Sequence, residues 1–293
     1  MIKQCEICGC NLSLFKKANV SKEKLTAFAY SSRKIPEYMH WDLFEFKTCH
    51  VLYADCPTDA EEIFSKYEEA AYDSSEEADY ASMTYVNYLK RKCLGFPKKK
   101  AMDIGTGNGS YLKFLMDNGV KDVVGVEPSR EPIEHADSKV KDKIINAPFR
   151  EGMFQDAAFD MISLFQTIEH IPNPKKMLFE IRRVLSEGGV FYLICHDYRS
   201  FVNRILAMRS PIYDIEHLQI FSQKGIELLL KETGFQNIKV FTIKNRYPLK
   251  YWLRLFPFPE RLKHSILQLA EKSGIGKIMV SINVGNIGCI CNK

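Results

Sequence analysis

A glycine-rich turn at residues 103–109 constrains the fold of this chain more than any other sequence feature. The segment reads Asp-Ile-Gly-Thr-Gly-Asn-Gly, and it joins a short apolar run to a stretch with helical periodicity. Gly105, Gly107 and Gly109 can adopt backbone conformations that other residues avoid, and without a Cβ they let a ligand approach the main chain. The segment therefore predicts a strand, a ligand-binding turn and a helix in succession.

From residue 99 onward, short apolar runs alternate with helical stretches. The predicted strands lie at residues 101–104, 123–126, 144–145, 159–165 and 190–195. The predicted helices between them lie near residues 110–117, 129–139 and 174–185. Ser222 is typical of a helix N-cap, and it introduces a predicted helix at 223–233, a strand at 238–243 and a last strand at 287–290. This alternation indicates an α/β fold with a parallel, Rossmann-like sheet that is covered by helices on both faces.

An acidic residue at the end of the second predicted strand indicates what the turn binds. Glu127 follows the glycines by about 20 residues, where a carboxylate can accept both hydroxyls of a ribose. That arrangement fits either a dinucleotide or S-adenosylmethionine. The G-x-G-x-G spacing, with Asp103 two residues ahead, differs from the G-x-G-x-x-G of dinucleotide-binding turns and favours S-adenosylmethionine. Asp103 is then a candidate to orient the loop and the ammonium group of the cofactor.

At this point the sequence resembles the class I S-adenosylmethionine-dependent methyltransferases, whose glycine motif reads D-x-G-x-G-x-G. Four further segments match in order, namely Phe159-Asp160, the E-H-x-x-x-P pattern within 166–174, the R-x-L-x-x-G-G pattern at 183–189 and the H-L-x-x-F-S pattern within 216–222. The resemblance covers about residues 99–245 and implies a seven-stranded sheet, methyl transfer and this cofactor. The residues that it places at the cofactor are Asp103, Gly105, Thr106, Gly107, Gly109, Glu127, Pro128, Ala147, Phe149, Phe165 and Gln166.

Four polar residues near the carboxyl ends of the predicted strands are candidates for catalysis, because open α/β sheets bind ligands at that edge. His170 follows the fourth strand, His196 and Asp197 end the fifth, and His217 precedes a helix. Methyl transfer requires an acceptor held in line with the methyl group, and a hydroxyl acceptor also requires a base. His170 is the first candidate for that base, whereas His217 is alternatively a residue that packs under the helix cap.

Residues 1–57 are predicted to form a small zinc-ribbon-like module. Cys5 and Cys8 form a C-x-x-C pair, and two thiolates around such a turn can share a tetrahedral metal. Some sugar methyltransferases carry an N-terminal zinc module with a second C-x-x-C-G. The matching segment here has Phe46 in place of one cysteine and His50 in place of the glycine. A structural zinc site would use Cys5, Cys8 and Cys49, with His50, Cys10 or His40 as the fourth ligand. Alternatively, the module has kept its fold and lost its metal.

The rest of the chain is expected to contain a helical connection at residues 58–98 and a methyltransferase domain at 99–293. Within that domain, residues 246–284 form an aromatic insertion. Its aromatic and basic side chains would cap the acceptor site if strand six is parallel to its neighbours and the last strand returns antiparallel. They suit an acceptor that carries a phosphate or a lipid. Alternatively, they pack as an ordinary amphipathic segment.

Composition narrows the class of protein. Of the 293 residues, 46% are hydrophobic and 26% are charged, which excludes a wholly disordered chain. No apolar run is long enough to span a bilayer, and the first ten residues have no apolar signal core, so a cytoplasmic chain is expected. The net charge of +5 is only weak evidence for a polyanionic partner, and a nucleic-acid partner is therefore not expected.

The leading hypothesis is methylation of a small molecule, with a hydroxyl of a sugar or of a nucleotide-sugar or polysaccharide precursor favoured by the resemblance. One alternative is an RNA base methyltransferase with an N-terminal zinc module. Another is a protein that binds S-adenosylmethionine for regulation without catalysis. The oligomeric state is left open.

Overall fold

The structure, a computed structural model, describes residues 5, 7–21, 38–56, 75–93, 96, 99–255 and 259–293. The strands are β1 (Leu12–Lys16), β2 (Leu43–Phe46), β3 (Val51–Ala54), β4 (Lys100–Ile104), β5 (Asp122–Glu127), β6 (Ile144–Asn146), β7 (Phe159–Phe165), β8 (Leu185–His196), β9 (Gln219–Ile220), β10 (Gln236–Pro248) and β11 (Met279–Asn292). The α-helices are α1 (Ser75–Lys92), α2 (Ser110–Asp117), α3 (Arg130–Glu134), α4 (Pro174–Val184), α5 (Phe201–Leu206), α6 (Gln223–Glu232), α7 (Leu249–Leu255) and α8 (Glu260–Lys272).

The larger sheet has seven strands in the spatial order β6-β5-β4-β7-β8-β11-β10. Neighbouring strands from β6 to β8 are parallel, whereas β11 runs antiparallel to both β8 and β10. The order reverses at β4, so the turn after this strand lies where open sheets bind ligands. The predicted α/β, Rossmann-like, seven-stranded sheet is confirmed.

Two apolar cores lie on opposite faces of this sheet because successive residues of a strand point to opposite sides. On β8, Phe191 and Leu193 belong to the core that contains apolar residues of α4 and α6. Tyr192 and Ile194 belong to the core that contains apolar residues of α1 and α2. All four side chains are fully buried. The continuous apolar run of this strand thus reflects burial on both faces.

Several boundaries differ from the predicted ones for local reasons. Helix α3 ends at Glu134 instead of near residue 139, because the Asp137 carboxylate accepts a hydrogen bond from the backbone N–H of Lys139 and forms a turn. Strands β10 and β11 extend beyond the rest of the sheet because they pair with each other as far as Pro248 and Met279. Of the helical connection predicted at 58–98, residues 75–92 form α1, and residues 57–74 lie outside the described ones.

A second, four-stranded antiparallel sheet joins the N-terminal residues to the larger domain in the order β1-β2-β3-β9. Strand β9 comes from the segment just before α6, and it places Ile220 opposite Leu52 of β3. Ser222 caps α6 by accepting a hydrogen bond from the N–H of Gly225, as predicted for that residue. Within the described part of the chain, no helix has the length and apolar character needed to span a bilayer.

Candidate active site and thiol cluster

The glycine-rich turn follows β4 and leads into α2. All three glycines have positive φ, with Gly105 at +72°, Gly107 at +56° and Gly109 at +72°. A Cβ on Gly105 would clash with the Oγ1 of Thr167, which follows β7. A Cβ on Gly107 would meet no protein atom within 4 Å. The turn therefore packs against the loop after β7 at its first glycine and is open to a ligand at its second.

Glu127 ends β5 beside this turn. Its Oε2 accepts a hydrogen bond of 2.8 Å from the N–H of Gly107, and its Oε1 accepts one of 3.0 Å from the N–H of Ser129. The side chain is buried, and burial raises its pKa against the opposing effect of the two backbone donors. A carboxylate has about four lone-pair sites, so two sites are left for the hydroxyls of a ribose.

Asp103 lies deeper, near the end of β4. Its Oδ1 accepts a 2.5 Å hydrogen bond from the Oγ of Ser163 on the neighbouring strand β7. Burial raises the pKa of Asp103 to about 7, and the hydrogen bond from Ser163 opposes that rise. Asp103 thus joins the two central strands directly below the turn. Thr106, which follows in the turn, is buried too.

The other residues predicted to bind the cofactor lie along the same edge. Pro128 follows Glu127, and Ala147 follows the end of β6. The ring of Phe149 is stacked on that of Phe154. Phe165 ends β7 against the rings of three tyrosines, and Gln166 after it is exposed with φ of +47°. A residue other than glycine with positive φ is uncommon and is enriched at functional sites.

Asn146 is a neighbour at this edge that the sequence did not single out. Its Nδ2 donates to the backbone carbonyls of Glu127 and Pro128, at 3.0 and 2.8 Å. Asn146 therefore fixes the end of β5 relative to the end of β6. The edge as a whole offers a carboxylate, an open glycine and apolar surface, and these fit an adenosine group bound across the carboxyl ends of β4, β5 and β6.

Three histidines that are far apart in sequence come together beyond the end of β7. The ring centroids of His170 and His217 are 4.9 Å apart, and those of His196 and His217 are 5.3 Å apart. The three residues come from the loop after β7, the end of β8 and the segment before β9. The structure thus brings together three of the four predicted catalytic residues.

Hydrogen bonds define the protonation of this histidine cluster. The Nδ1 of His170 lies 3.0 Å from the carbonyl of Glu216, and the Nδ1 of His217 lies 2.8 Å from that of Ile212. A carbonyl only accepts, so the Nδ1 of His217 carries the proton of its ring. Burial lowers the pKa of His170 to about 4 and the pKa of His217 well below its usual range, so both rings are neutral near physiological pH.

His196 has a different environment at the end of β8, and it is partly exposed. Its Nδ1 lies 3.0 Å from the Oδ1 of Asn286, whose own Nδ2 donates to the Oδ1 of Asn245. This chain of amides makes the His196 Nδ1 the donor, so in the neutral ring the Nε2 carries a lone pair.

Asp197, the fourth predicted catalytic residue, forms hydrogen bonds within its own loop and is not part of the histidine cluster. Its Oδ1 accepts from the N–H of Arg199, and its backbone carbonyl accepts from the Nδ2 of Asn203. The side chain is buried, and burial raises its pKa. These contacts describe a residue that shapes the loop after β8.

Two polar groups missed by sequence reasoning are buried beside the histidine cluster. The Oε1 of Glu169 accepts a 2.6 Å hydrogen bond from the N–H of His196, whereas its fully buried Oε2 has no partner among the described residues. The hydroxyl of Tyr85, on α1, likewise has none. The Glu169 carboxylate contributes to the raised pKa of Tyr85, after burial and Tyr247, so the two groups interact. Glu169 was visible in its motif, but Tyr85 gave no signal because it lies on a distant helix.

An aromatic cluster borders these groups. Tyr247 lies at the end of β10. The centroid of its ring is 4.4 Å from that of Tyr251, 5.3 Å from that of Trp252 and 6.0 Å from that of Tyr80 on α1. Of the basic residues predicted here, Arg254 pairs with Glu77 at 2.7 Å and Lys250 pairs with Glu271 at 3.0 Å. Phe256 and Phe258, which the sequence also placed in this segment, lie outside the described residues.

A thiol cluster lies in the N-terminal module. The Sγ atoms of Cys5, Cys8 and Cys49 all lie within 4.8 Å of one another. Those of Cys5 and Cys49 are 3.6 Å apart, close to the ~3.8 Å between two thiolates on one tetrahedral zinc ion. The backbone N–H of Ile7 donates to the Sγ of Cys5, and a hydrogen bond from Cys49 lowers the pKa of Cys5 to about 6. These three residues fit a metal site.

The predicted fourth ligands are directed elsewhere. His50 Nδ1 lies 3.4 Å from a carboxylate oxygen of Glu45, His40 Nδ1 lies 2.8 Å from the carbonyl of Trp41, and Cys10 Sγ contacts the hydroxyl of Thr48 at 2.7 Å. Phe46 occupies the position where a cysteine would complete the second C-x-x-C pair. Its side chain is buried in the same core as Cys5 and Cys49. His50 has φ of +55°, which explains why a glycine suits that position.

Comparison with known proteins agrees with this geometry. A family model described as a methyltransferase domain matches residues 54–240. The chain is 32% identical to an uncharacterised protein of Methanocaldococcus jannaschii over 146 residues, which are 49% of this chain and 67% of that protein. It is 29% identical to the uncharacterised methyltransferase YcgJ of Bacillus subtilis over 189 residues, which are 59% of this chain and 72% of that protein.

Among solved structures, a SAM-dependent methyltransferase from Archaeoglobus fulgidus is similar with a TM-score of 0.51 and 16% identity, covering 80% of this chain and 100% of that one. This likeness shows the fold alone. The match to the family model covers more than half of the chain, with the glycine-rich turn, Glu127 and the histidine cluster inside it. The chain thus belongs to the methyltransferase-domain family and is an S-adenosylmethionine-dependent methyltransferase.

Proposed function

We propose that this enzyme methylates a hydroxyl group of a small molecule, and that the acceptor is a sugar or a nucleotide-sugar or polysaccharide precursor. The observation that carries the proposal is the convergence of His196 with the buried, unpartnered oxygen of Glu169 beside the loop that packs on Gly105. A buried oxygen without a partner is costly, and a hydroxyl group of an acceptor would relieve it.

His196 is the proposed base. The sequence favours His170, but the pKa of His170 is about 4 because the ring is buried, and a base that weak takes a proton reluctantly near neutral pH. His196 is partly exposed and its Nε2 carries the lone pair, since Asn286 accepts from its Nδ1. His170 and His217 would then hold the neighbouring loops in place through their bonds to backbone carbonyls.

The cofactor would lie across the glycine-rich turn, with its ribose on Glu127 and its adenine near Ala147 and Phe149. Bound S-adenosylmethionine supplies an electrophilic methyl group on a sulfonium. The chain's own part is to hold the acceptor oxygen in line with that methyl group and to take its proton at the Nε2 of His196. Asp103 supports the turn from below through Ser163.

A sugar acceptor is supported by the aromatic cluster. Tyr80, Tyr247, Tyr251 and Trp252 are brought together by α1 and the β10–α7 junction, and their faces suit the apolar side of a sugar ring. Burial raises the pKa of Tyr85, and Tyr247, Glu169 and Tyr251 raise it further, which supports an aromatic cluster near the hydroxyl of Tyr85. The aromatic insertion expected at 246–284 is shorter, because its two ends pair with each other in β10 and β11. The end of β10 and residues 249–278 would therefore cap the acceptor site.

The test is incubation of the purified enzyme with methyl-labelled S-adenosylmethionine and fractionated cell metabolites, followed by mass spectrometry. The label should appear as an O-methyl group on a sugar-containing metabolite. Label on RNA, or on a nitrogen atom, would contradict the proposed acceptor.

The role of His196 is tested by comparing His196→Ala with His170→Ala. The first variant should lose about 10²–10⁴-fold in kcat because the base is missing. It should keep its affinity for S-adenosylmethionine and its melting temperature. The second should keep most of its kcat and lose stability. A large loss of kcat in His170→Ala alone would reverse the two roles.

We further propose that Cys5, Cys8 and Cys49 hold one structural zinc ion. Elemental analysis should find about one zinc per chain, and the double variant Cys5→Ser, Cys8→Ser should lose it. Phe46→Cys supplies a fourth thiolate at the vacant position of the second pair, so it should make the zinc harder to remove with a chelator. Wild-type protein without zinc, purified in the absence of chelator, would show that the module has lost its metal.

A further inference from the structure

Helix α5, which follows the end of β8, has its polarity reversed relative to the usual surface helix. Phe201 is 78% exposed and Ile205 is 66% exposed, and Leu206 beside them is exposed too. Asn203, by contrast, is 2% exposed. A surface helix of a globular protein normally turns its apolar side chains inward. Here the polar side chain faces the protein and the apolar ones face outward.

The buried polar face anchors this helix. The Nδ2 of Asn203 donates to the carbonyl of Asp197 at 2.7 Å, and its Oδ1 accepts from the Oγ of Ser210 at 2.7 Å. The adjacent residues Tyr198, Ile212 and Tyr213 are buried in the core shared with β3 and β9. Both ends of the segment are thus held, and the exposed apolar residues are a fixed feature of the surface.

Positive charge surrounds the apolar residues. Residues 198–213 contain three arginines and no aspartate or glutamate. Arg199, Arg204 and Arg209 are exposed, and none forms an ion pair with any residue that the structure describes. We call these three arginines together with Phe201, Ile205 and Leu206 the α5 surface. Phe15 of β1, which is exposed too, lies next to this segment, since its ring lies 6.2 Å from those of Tyr198 and Tyr213.

We propose that the α5 surface docks on the headgroup region of an anionic lipid bilayer. Apolar side chains enter the boundary of the acyl chains while arginines reach the phosphates, and this is the composition of interfacial helices. A second copy of the chain is a poorer occupant, because a two-fold contact would bring arginines against arginines. The first residue of this surface, Arg199, follows His196 by three residues, so the bilayer would lie near the site where the acceptor is bound.

The test is sedimentation of the full chain with phospholipid vesicles, and it requires neither an acceptor nor methyl transfer. We expect binding to phosphatidylcholine vesicles that contain about 30% phosphatidylglycerol, little binding to phosphatidylcholine alone, and weakening by salt. The double variant Phe201→Ser, Ile205→Ser and the double variant Arg204→Glu, Arg209→Glu should each reduce binding about tenfold or more. Phe179→Ser, at an exposed residue of α4, is the matched control and should bind like wild type.

Each variant is checked for melting temperature and for affinity for S-adenosylmethionine, so that misfolding is recognised. Failure of the wild type to bind anionic vesicles would overturn the proposal. It would also fall if the serine variants bound normally while the glutamate variants did not, since that pattern marks a general polyanion site. A serine variant that changes the chain from dimer to monomer in sedimentation velocity would show instead that the α5 surface joins two copies.

Discussion

The three glycines after β4 have different steric surroundings, although all have positive φ. Gly105 faces Thr167, and Gly109 would place a Cβ 3.0 Å from side-chain atoms of Val140 and Ile144. Only the missing Cβ of Gly107 points into open space. The positive φ of Gly107 therefore affects the stability of the turn, and the open space at its Cβ position affects ligand binding. These two effects can be separated by experiment.

Gly107→Val should abolish binding of S-adenosylmethionine, because the branched side chain occupies the space that the ligand needs. Gly119→Val is the matched control, since Gly119 has φ of +89° and open space at its Cβ but lies after α2, away from the turn. Both variants should lose stability through backbone strain, and only the first should lose the cofactor. Calorimetry that finds equal affinity in the two variants would show that the turn is structural alone.

Glu127→Ala should weaken cofactor binding by about 1–3 kcal/mol, because a charged acceptor for the ribose hydroxyls is lost. The same change also frees the N–H of Gly107 that the carboxylate holds, so the loop itself becomes less ordered. Isothermal titration calorimetry measures the effect, with Glu134→Ala on the exposed side of α3 as the control. Unchanged affinity in a folded Glu127→Ala protein would contradict the assignment.

At the scale of elements, the contact between the N-terminal module and α6 is unusually close. A Cβ on Gly225 would lie 2.6 Å from the Cγ2 of Val51 and 3.0 Å from the carbonyl oxygen of Cys49. The hydroxyl of Ser222 donates to the same carbonyl. The first turn of α6 therefore rests on the segment that carries Cys49, one of the proposed zinc ligands.

Gly225→Ala should destabilise the protein by about 1–3 kcal/mol, as expected for overpacking against backbone. The sign of this change in stability is informative, because glycine to alanine inside an ordinary helix stabilises the helix by up to about 1 kcal/mol. Urea unfolding measures the difference, and Lys224→Ala, at an exposed residue of the same turn, serves as the control. A gain in stability for Gly225→Ala would mean that the module is not packed on α6 in this way.

The elements that the sequence predicted well are those with strong local signals. The apolar run at 159–165, the helix at 110–117 and the cap at Ser222 all have the predicted positions. Strand β9 gave no such signal, because two residues are too few to show periodicity. The pairing of β9 with β3, and the approach of Tyr85 to Glu169, depend on contacts between distant parts of the chain. Local patterns carry no information on such contacts.

At the scale of the whole molecule, the histidine cluster links stability to pH. Folding lowers the pKa of His170 to about 4, and that of an unfolded histidine is about 6.5. Between these values the unfolded chain binds a proton that the folded chain does not, so the free energy of unfolding falls as the pH falls. Three buried acids have raised pKa values, so their protonation increases the free energy of unfolding as the pH falls; they are Asp103, Glu127 and Glu169. The contribution of His170 is therefore isolated by comparing variants with wild type.

His170→Gln should therefore lose less stability than wild type between about pH 7 and about pH 5, because glutamine cannot be protonated. Urea unfolding at several pH values measures this difference in slope. His264→Gln, at an exposed histidine of α8, should follow the wild-type curve. Parallel curves for His170→Gln and wild type would show that the ring is protonated equally in both states.

The pairing of β3 with β9 also has a consequence for synthesis on the ribosome. The first three strands emerge early, but the strand that completes their sheet emerges only after β4 to β8 have been made. Until then the edge of β3 exposes unpaired backbone groups, which are open to association with other nascent chains. An early metal ion on Cys5, Cys8 and Cys49 would hold this edge in shape during translation. We therefore expect zinc supply during expression to raise the soluble yield, and removal of zinc from the finished protein to lower its stability.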